Sequence, residues 1–260
     1  MDGEAVLVAL RAESKRLYEK VAGLPEGEWD RPSPCAPWTV REVFAHLTTA
    51  VGRVDSMLAE SESESESESE PGPGPEGEPE AEPEASEMLV TAAGYYAPNE
   101  RFSSMSNGAR VDAAQESAVA YADGRSLAEH FDSVWRSVAA TCAKEPPERR
   151  IRTRHGDPML LSEFLVTRVV EVCVHGFDVA AGLGHEPWPT EEAAEVVARL
   201  LLGGRPYETG HDAGGGYAGP AAGFGWDRTA FLRKATGRLP MTTAERMAAE
   251  GHGLHWLTLG

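Results

Sequence analysis

Apolar residues recur at helical spacing through most of the chain. From about Glu4 to Ala22, Leu7, Leu10, Leu17 and Val21 fall on one stripe, which Gly23-Leu-Pro25 ends. Trp29 to Trp38 contains three prolines, Pro32, Pro34 and Pro37, and cannot be helical. Thr39-Val-Arg-Glu42 then matches a capping box, predicting a helix to about Glu60 with Val40, Val43, Phe44 and Leu47 on its apolar face. Met88–Ala97 and Ala109–Asp123 read as partly helical. Ser126-Leu-Ala-Glu129 reads as a second capping box, ahead of Phe131, Val134, Trp135, Val138 and Cys142, with Pro146-Pro147 as the stop. A short extended pair, Arg150–His155 and Met159–Leu161, is predicted across Gly156-Asp-Pro158. Ser162 is placed to cap a fourth strong helix to about Ala181, ended by Gly182 and Gly184. Four good helices with few strand signals predict a helical bundle over residues 1–184.

The remaining residues, 185–260, read as a small appendage packed on that bundle. Thr190 caps a helix through Leu202, a glycine-rich loop spans Gly203 to Gly225, and Asp227–Thr236 is a short helix. The tail from Leu254 to Leu259 is predicted as a strand or an extended arm, so the appendage is expected to be α/β.

Charge changes this picture in one place. The 260-residue chain carries a formal charge of −18, but residues 60–87 hold twelve glutamates and no basic residue, which leaves −6 for the rest. Segment 61–87, Ser-Glu repeats followed by Pro-Gly-Glu repeats, has no apolar group to bury and is expected to be a disordered surface insert. An acidic interaction tail or a phosphorylated switch is the alternative reading. No basic stripe is available to neutralise a run of phosphates, which argues against nucleic acid as a partner. No apolar run approaches the roughly eighteen residues of a membrane span. The N-terminus lacks a secretory pattern, and three cysteines form no paired framework. A cytoplasmic protein is expected, monomeric or homodimeric.

The candidate chemistry lies on the fourth helix. Arg168, Glu171, His175 and Asp178, at offsets 0, 3, 7 and 10, share one face, while Phe164, Leu165, Val169, Val172 and Phe177 supply the opposite, apolar one. Glu171 and His175, one turn apart, can reach one metal ion; a salt-bridged stripe facing solvent is the plainer alternative. His46 sits among Phe44, Ala45 and Leu47 and reads either as a hydrogen-bonded core histidine or as a ligand. Combined, His46, Glu171 and His175 form a two-histidine, one-carboxylate set that leaves a position open for water or substrate.

Ser33-Pro-Cys-Ala-Pro-Trp38-Thr-Val-Arg-Glu-Val-Phe-Ala-His46-Leu resembles the N-terminal motif of the mycothiol-dependent maleylpyruvate isomerase family, within the DinB-like metal-binding bundles. Thr167-Arg-Val-Val-Glu171-Val-Cys-Val-His175-Gly-Phe-Asp178 resembles that family's second motif, and Trp226 to Arg238 is a weaker third match. The resemblance implies an up-down-down-up four-helix bundle and a divalent metal, usually zinc, held by His46, Glu171 and His175. It also implies mycothiol as a thiol cosubstrate and a small electrophilic substrate. Metal coordination deprotonates a thiol at neutral pH. In the isomerase that thiolate adds to the cis double bond of maleylpyruvate, bond rotation follows, and its expulsion gives fumarylpyruvate; in S-transferase relatives it stays attached.

Arg238 is a candidate catalytic residue that holds a carboxylate of the substrate or thiol, or else an arginine that closes the preceding helix. Asp178 either orients a ligand or pairs with Arg168 or Arg53. Trp38 reads as a residue packing the helix start, with a wall of the thiol pocket as the alternative, and Cys35 and Cys173 read as small buried hydrophobes. The remaining histidines show no ligand spacing, and neither a serine-hydrolase elbow nor a zinc-deaminase motif is present. Two further classes remain open: a non-catalytic metal-stabilised bundle that binds a partner, and a metal-dependent hydrolase.

Overall fold

The computed structural model describes residues 1–68, 88–207, 225–257 and 259. Helix α1 (Gly3–Val21) starts where the Asp2 carboxylate accepts from the Glu4 amide. After the single turn α2 (Glu26–Trp29) comes α3 (Val40–Glu68). The predicted capping box opens α3: the Thr39 amide donates to Glu42 Oε2 at 2.6 Å and the Glu42 amide to Thr39 Oγ1 at 3.3 Å. The helix runs eight residues past its predicted end, into the Ser-Glu repeat. Glutamate is a good helix former, and extending a helix costs far less than nucleating one. The rest of the predicted acidic insert, 69–87, lies outside the described residues, as does 208–224 of the glycine-rich loop.

Next come α4 (Ala92–Tyr95), α5 (Ser104–Val119) and α6 (Gly124–Cys142). Here the expected cap is displaced: Asp123, not Ser126, caps α6. Its carboxylate accepts from the Ser126 amide at 2.7 Å, while the Ser126 hydroxyl accepts from the Asp123 amide at 3.2 Å. Aspartate is a strong N-cap, so the helix gains three residues. Strands β1 (Arg150–Arg152) and β2 (Pro158–Leu160) form the predicted antiparallel pair, with Ile151 opposite Met159. Helix α7 (Leu161–Leu183) starts one residue before Ser162 and has no side-chain cap. It ends on Gly184, whose φ of 71° lies in the left-handed region that favours glycine.

The C-terminal region holds α8 (Glu191–Leu201), capped by Thr190, then α9 (Arg228–Ala235) and α10 (Thr243–Gly251). No described residue of this region is in a strand, so among the described residues the appendage is helical rather than α/β. The Leu254 tail finds no partner strand; the His255 amide donates to Leu201 O at the end of α8.

Helices α1, α6, α3 and α7 close a four-membered ring in which consecutive members pack together. Their directions follow from four close approaches. Gly3, starting α1, lies against Ser162, starting α7; Gly182, near the end of α7, lies against Val40, starting α3. Gly52 of α3 packs on Val134 of α6, and further along Leu58 O accepts from Arg149, just beyond α6. Thus α1 and α7 run one way, α3 and α6 the other: an up-down-down-up bundle. Helix α7 also packs on α8 and α4, and most of its residues are buried. Among the described residues no helix is long and apolar enough to cross a membrane.

Candidate metal centre

Burial of α7 decides between the two readings of its polar stripe. Arg168, His175 and Asp178 retain 3%, 8% and 1% of their exposure, so the stripe faces the bundle and not solvent. Across from it, α3 presents His46 in its second turn. His46 Nε2 lies 3.4 Å, and His175 Nε2 3.5 Å, from Glu171 Oε2. One donor atom from each of the three residues lies within 4.8 Å of the other two. Tetrahedral zinc, with bonds of about 2.0–2.1 Å, holds its donors about 3.3–3.4 Å apart. The spacing and chemistry of the set therefore fit a divalent ion.

The protonation states of His46 and Glu171 fit it as well. Burial pushes His46 down to about 4, despite its hydrogen bond to Glu171, which leaves the neutral imidazole a metal requires. For Glu171, burial opposes the charge but is outweighed by His175, His46 and the nearby Arg168, and the carboxyl lies well below its usual range. Trp38 stacks on His46 with ring centroids 5.0 Å apart and lies 6.3 Å from His175, so it walls the centre as well as packing the start of α3.

Behind His175 sits a second layer. Its Nδ1 meets Asp178 Oδ2 at 2.9 Å, a contact that fixes the ring and aims Nε2 at Glu171. Burial works against charge on His175, but hydrogen bonds with Asp178, Cys35 and Glu171 more than offset it and hold its pKa well above the usual value. Arg238, just beyond α9, grips Asp178 through Nε at 3.1 Å and Nη2 at 3.0 Å, while its Nη1 donates to Thr236 O at 2.7 Å. Asp178 therefore pairs with Arg238, and not with Arg168 or Arg53. Arg168 instead donates to Ala50 O and lies over the Phe164 ring.

Cys35 is the residue the sequence reading misplaced. Its thiol donates to Asp178 Oδ2 at 3.0 Å and lies 3.9 Å from His175 Nδ1 and 3.8 Å from Arg238 Nη2. The proline-rich turn carries it there: the Ser33 amide bonds Trp38 O and the Ser33 hydroxyl accepts from the Cys35 amide, folding the segment back over the end of α7. Its place in the quoted Ser33–Leu47 motif was the available signal. Cys173, by contrast, is fully buried away from the centre, as expected.

Three cavities meet at the centre. One of about 60 Å³ lies over His46, Glu171 and His175. One of about 570 Å³ is lined by Cys35, Trp38, Asp178 and Arg238. A third, of about 300 Å³, is lined by His46, Arg53, Arg110, Arg154 and His155, none of which apart from His46 was singled out as a site residue. The arrangement can hold an ion, leave one side of it open, and admit molecules from two directions.

Two solved structures resemble the chain at low identity: the mycothiol-dependent maleylpyruvate isomerase (16% identical, TM-score 0.46) and a histidine-to-alanine mutant of it (14%, TM-score 0.47). In each, the match covers 78% of this chain and 70% of the other. Comparison with curated proteins gives no match. The family described as the mycothiol maleylpyruvate isomerase N-terminal domain matches residues 10–180, which include His46, Glu171, His175 and Asp178. The chain, matched over well more than half its length, belongs to the mycothiol maleylpyruvate isomerase N-terminal domain family.

Proposed function

We propose that this protein is a metal- and mycothiol-dependent enzyme acting on an electrophilic small molecule, as a maleylpyruvate-type cis–trans isomerase or a mycothiol S-transferase. The observation that carries this reading is the convergence of His46, Glu171 and His175 at 3.4 and 3.5 Å inside the bundle. Those three residues hold the metal, and zinc suits two imidazoles and a carboxylate. When bound, the metal supplies a thiol as thiolate at neutral pH.

The chain's own residues do the rest. Asp178 keeps His175 in the tautomer that presents Nε2. Arg238 acts as a positioning residue: it neutralises and orients Asp178 from the wall of the larger cavity. Trp38 covers one face of His46 and keeps water from it. Cys35 adds a donor to Asp178 at the mouth of the larger cavity, which has the room for a low-molecular-weight thiol.

Metal analysis of the purified protein, followed by calorimetry with mycothiol with and without a chelator, tests the proposal. The expected result is about one zinc per chain, chelator-sensitive thiol binding, and thiol-dependent turnover of maleylpyruvate or an alkylating electrophile. His46→Ala should abolish metal retention and lower the melting temperature measured with metal present. Retained metal without thiol binding would point to a hydrolase or a metal-stabilised binding module instead.

A further inference from the structure

Arg53 stands seven residues after His46 on α3, two helical turns along the same face, or about 10.5 Å along the axis. Helical side chains lean toward the N-terminus, so Arg53 leans back toward His46. It lines both the cavity over the three ligands and the neighbouring one of about 300 Å³. Arg154, from the β1–β2 turn, lines the same two cavities.

Arg53 makes no hydrogen bond or ion pair with any described residue and is half-buried. Burial, with Arg154 and Arg168 as like-charged neighbours, pushes its guanidinium down to about 10. The acid nearest in effect is Glu171, already committed to two histidines. No described carboxylate lines the 300 Å³ cavity. A desolvated guanidinium beside like charges is costly unless an anion is brought to it, and a planar carboxylate matches its fork.

We propose that Arg53, with Arg154 beside it, forms a carboxylate-binding subsite on the side of the metal centre away from Arg238. The ligand it selects is an organic electrophile whose carboxylate lies several bonds from the carbon that reacts at the centre. This rests on the function proposed above; the two-turn offset between His46 and Arg53 sets the separation. The subsite favours carboxylate-bearing electrophiles over neutral ones of equal size.

Calorimetric titration with succinate, an unreactive dicarboxylate, tests this in zinc-loaded and metal-free protein, with neutral succinamide and inorganic phosphate as controls. Succinate is expected to bind wild type in preference to both controls. Arg53→Gln should weaken it about tenfold or more, and Arg53→Lys should restore part of the loss. Zinc content and the circular dichroism spectrum should be the same in all three proteins. In turnover, Arg53→Gln should lower kcat/KM for maleylpyruvate at least tenfold more than for a neutral alkylating electrophile. Equal succinate affinity in wild type and Arg53→Gln, no binding by wild type, or phosphate binding as tightly as succinate would overturn the assignment. Succinate binding lost in Arg53→Gln, with no thiol-dependent turnover in wild type, would leave the subsite standing and remove the catalytic reading.

Discussion

Asp178 serves three partners with two oxygens: His175, Cys35 and both prongs of Arg238. Asp178→Asn would keep the shape but lose the charge that Arg238 needs and the acceptor that fixes His175. Zinc affinity, read by competition with a chromophoric chelator, is expected to fall roughly 10–100-fold. Leaving the largely buried Arg238 unpaired should cost about 3 kcal/mol in denaturant unfolding. Cys35→Ala removes one donor and no charge, so its effect on zinc affinity should stay below tenfold. At this scale the sequence was half legible. His46, Glu171 and His175 stand out by spacing and by motif, because a helix converts sequence offset into direction. Cys35 and Arg53 do not, because their surroundings come from a folded turn and from facing elements far away in the chain.

The distance between His46 and His175 is set by how closely α3 and α7 approach, and Gly182 permits that approach. A methyl there would lie 2.8 Å from Val40 Cγ2 and 3.2 Å from Pro32 O, and the latter is backbone that cannot swing aside. Gly182→Ala is therefore expected to cost about 1–3 kcal/mol in thermal or denaturant unfolding. Zinc affinity should fall too, since α3 must shift relative to the ligands on α7. Among elements, periodicity and capping predicted α1, α3, α6, α7, α8 and α9 with boundaries off by a few residues, save the end of α3, which lies eight residues further on. The errors lie at ends, where a choice between Asp123 and Ser126 as cap turns on local hydrogen bonding. Helix α10 was missed although Thr242-Thr-Ala-Glu245 carries a capping box: the Thr242 amide donates to Glu245 Oε2, and the Glu245 amide to Thr242 Oγ1. Its apolar face is too thin to announce a helix, with Ala249 its buried residue.

For the molecule as a whole, Glu13 is a pH-dependent feature away from the centre. Its carboxylate, 2% exposed in the middle of α1, accepts from both the amide and the hydroxyl of Thr190 at 2.7 Å, joining the bundle to the start of α8. Burial pushes its pKa up to about 7, against the pull of those two hydrogen bonds. A carboxyl that holds its proton more tightly when folded stabilises the protein fully below its unfolded value of about 4.5, and this stability is lost as pH rises through 7. The melting-temperature difference between wild type and Glu13→Gln should therefore shift against wild type between about pH 5 and pH 8. A pH-independent difference would show that Glu13 ionises as in the unfolded chain. The bundle class was readable from four amphipathic stripes, but the helix directions came from the family resemblance and not from periodicity. They depend on connections such as the one through α2, whose course no periodicity encodes.

Arg238 lies outside residues 10–180, yet it reaches His175 through one carboxylate. Free-energy coupling is reciprocal. Whatever factor metal binding adds to the docking of the C-terminal region, that docked region adds to metal binding. A chain severed between α8 and α9 would keep every ligand and still hold its metal less tightly, by that same factor.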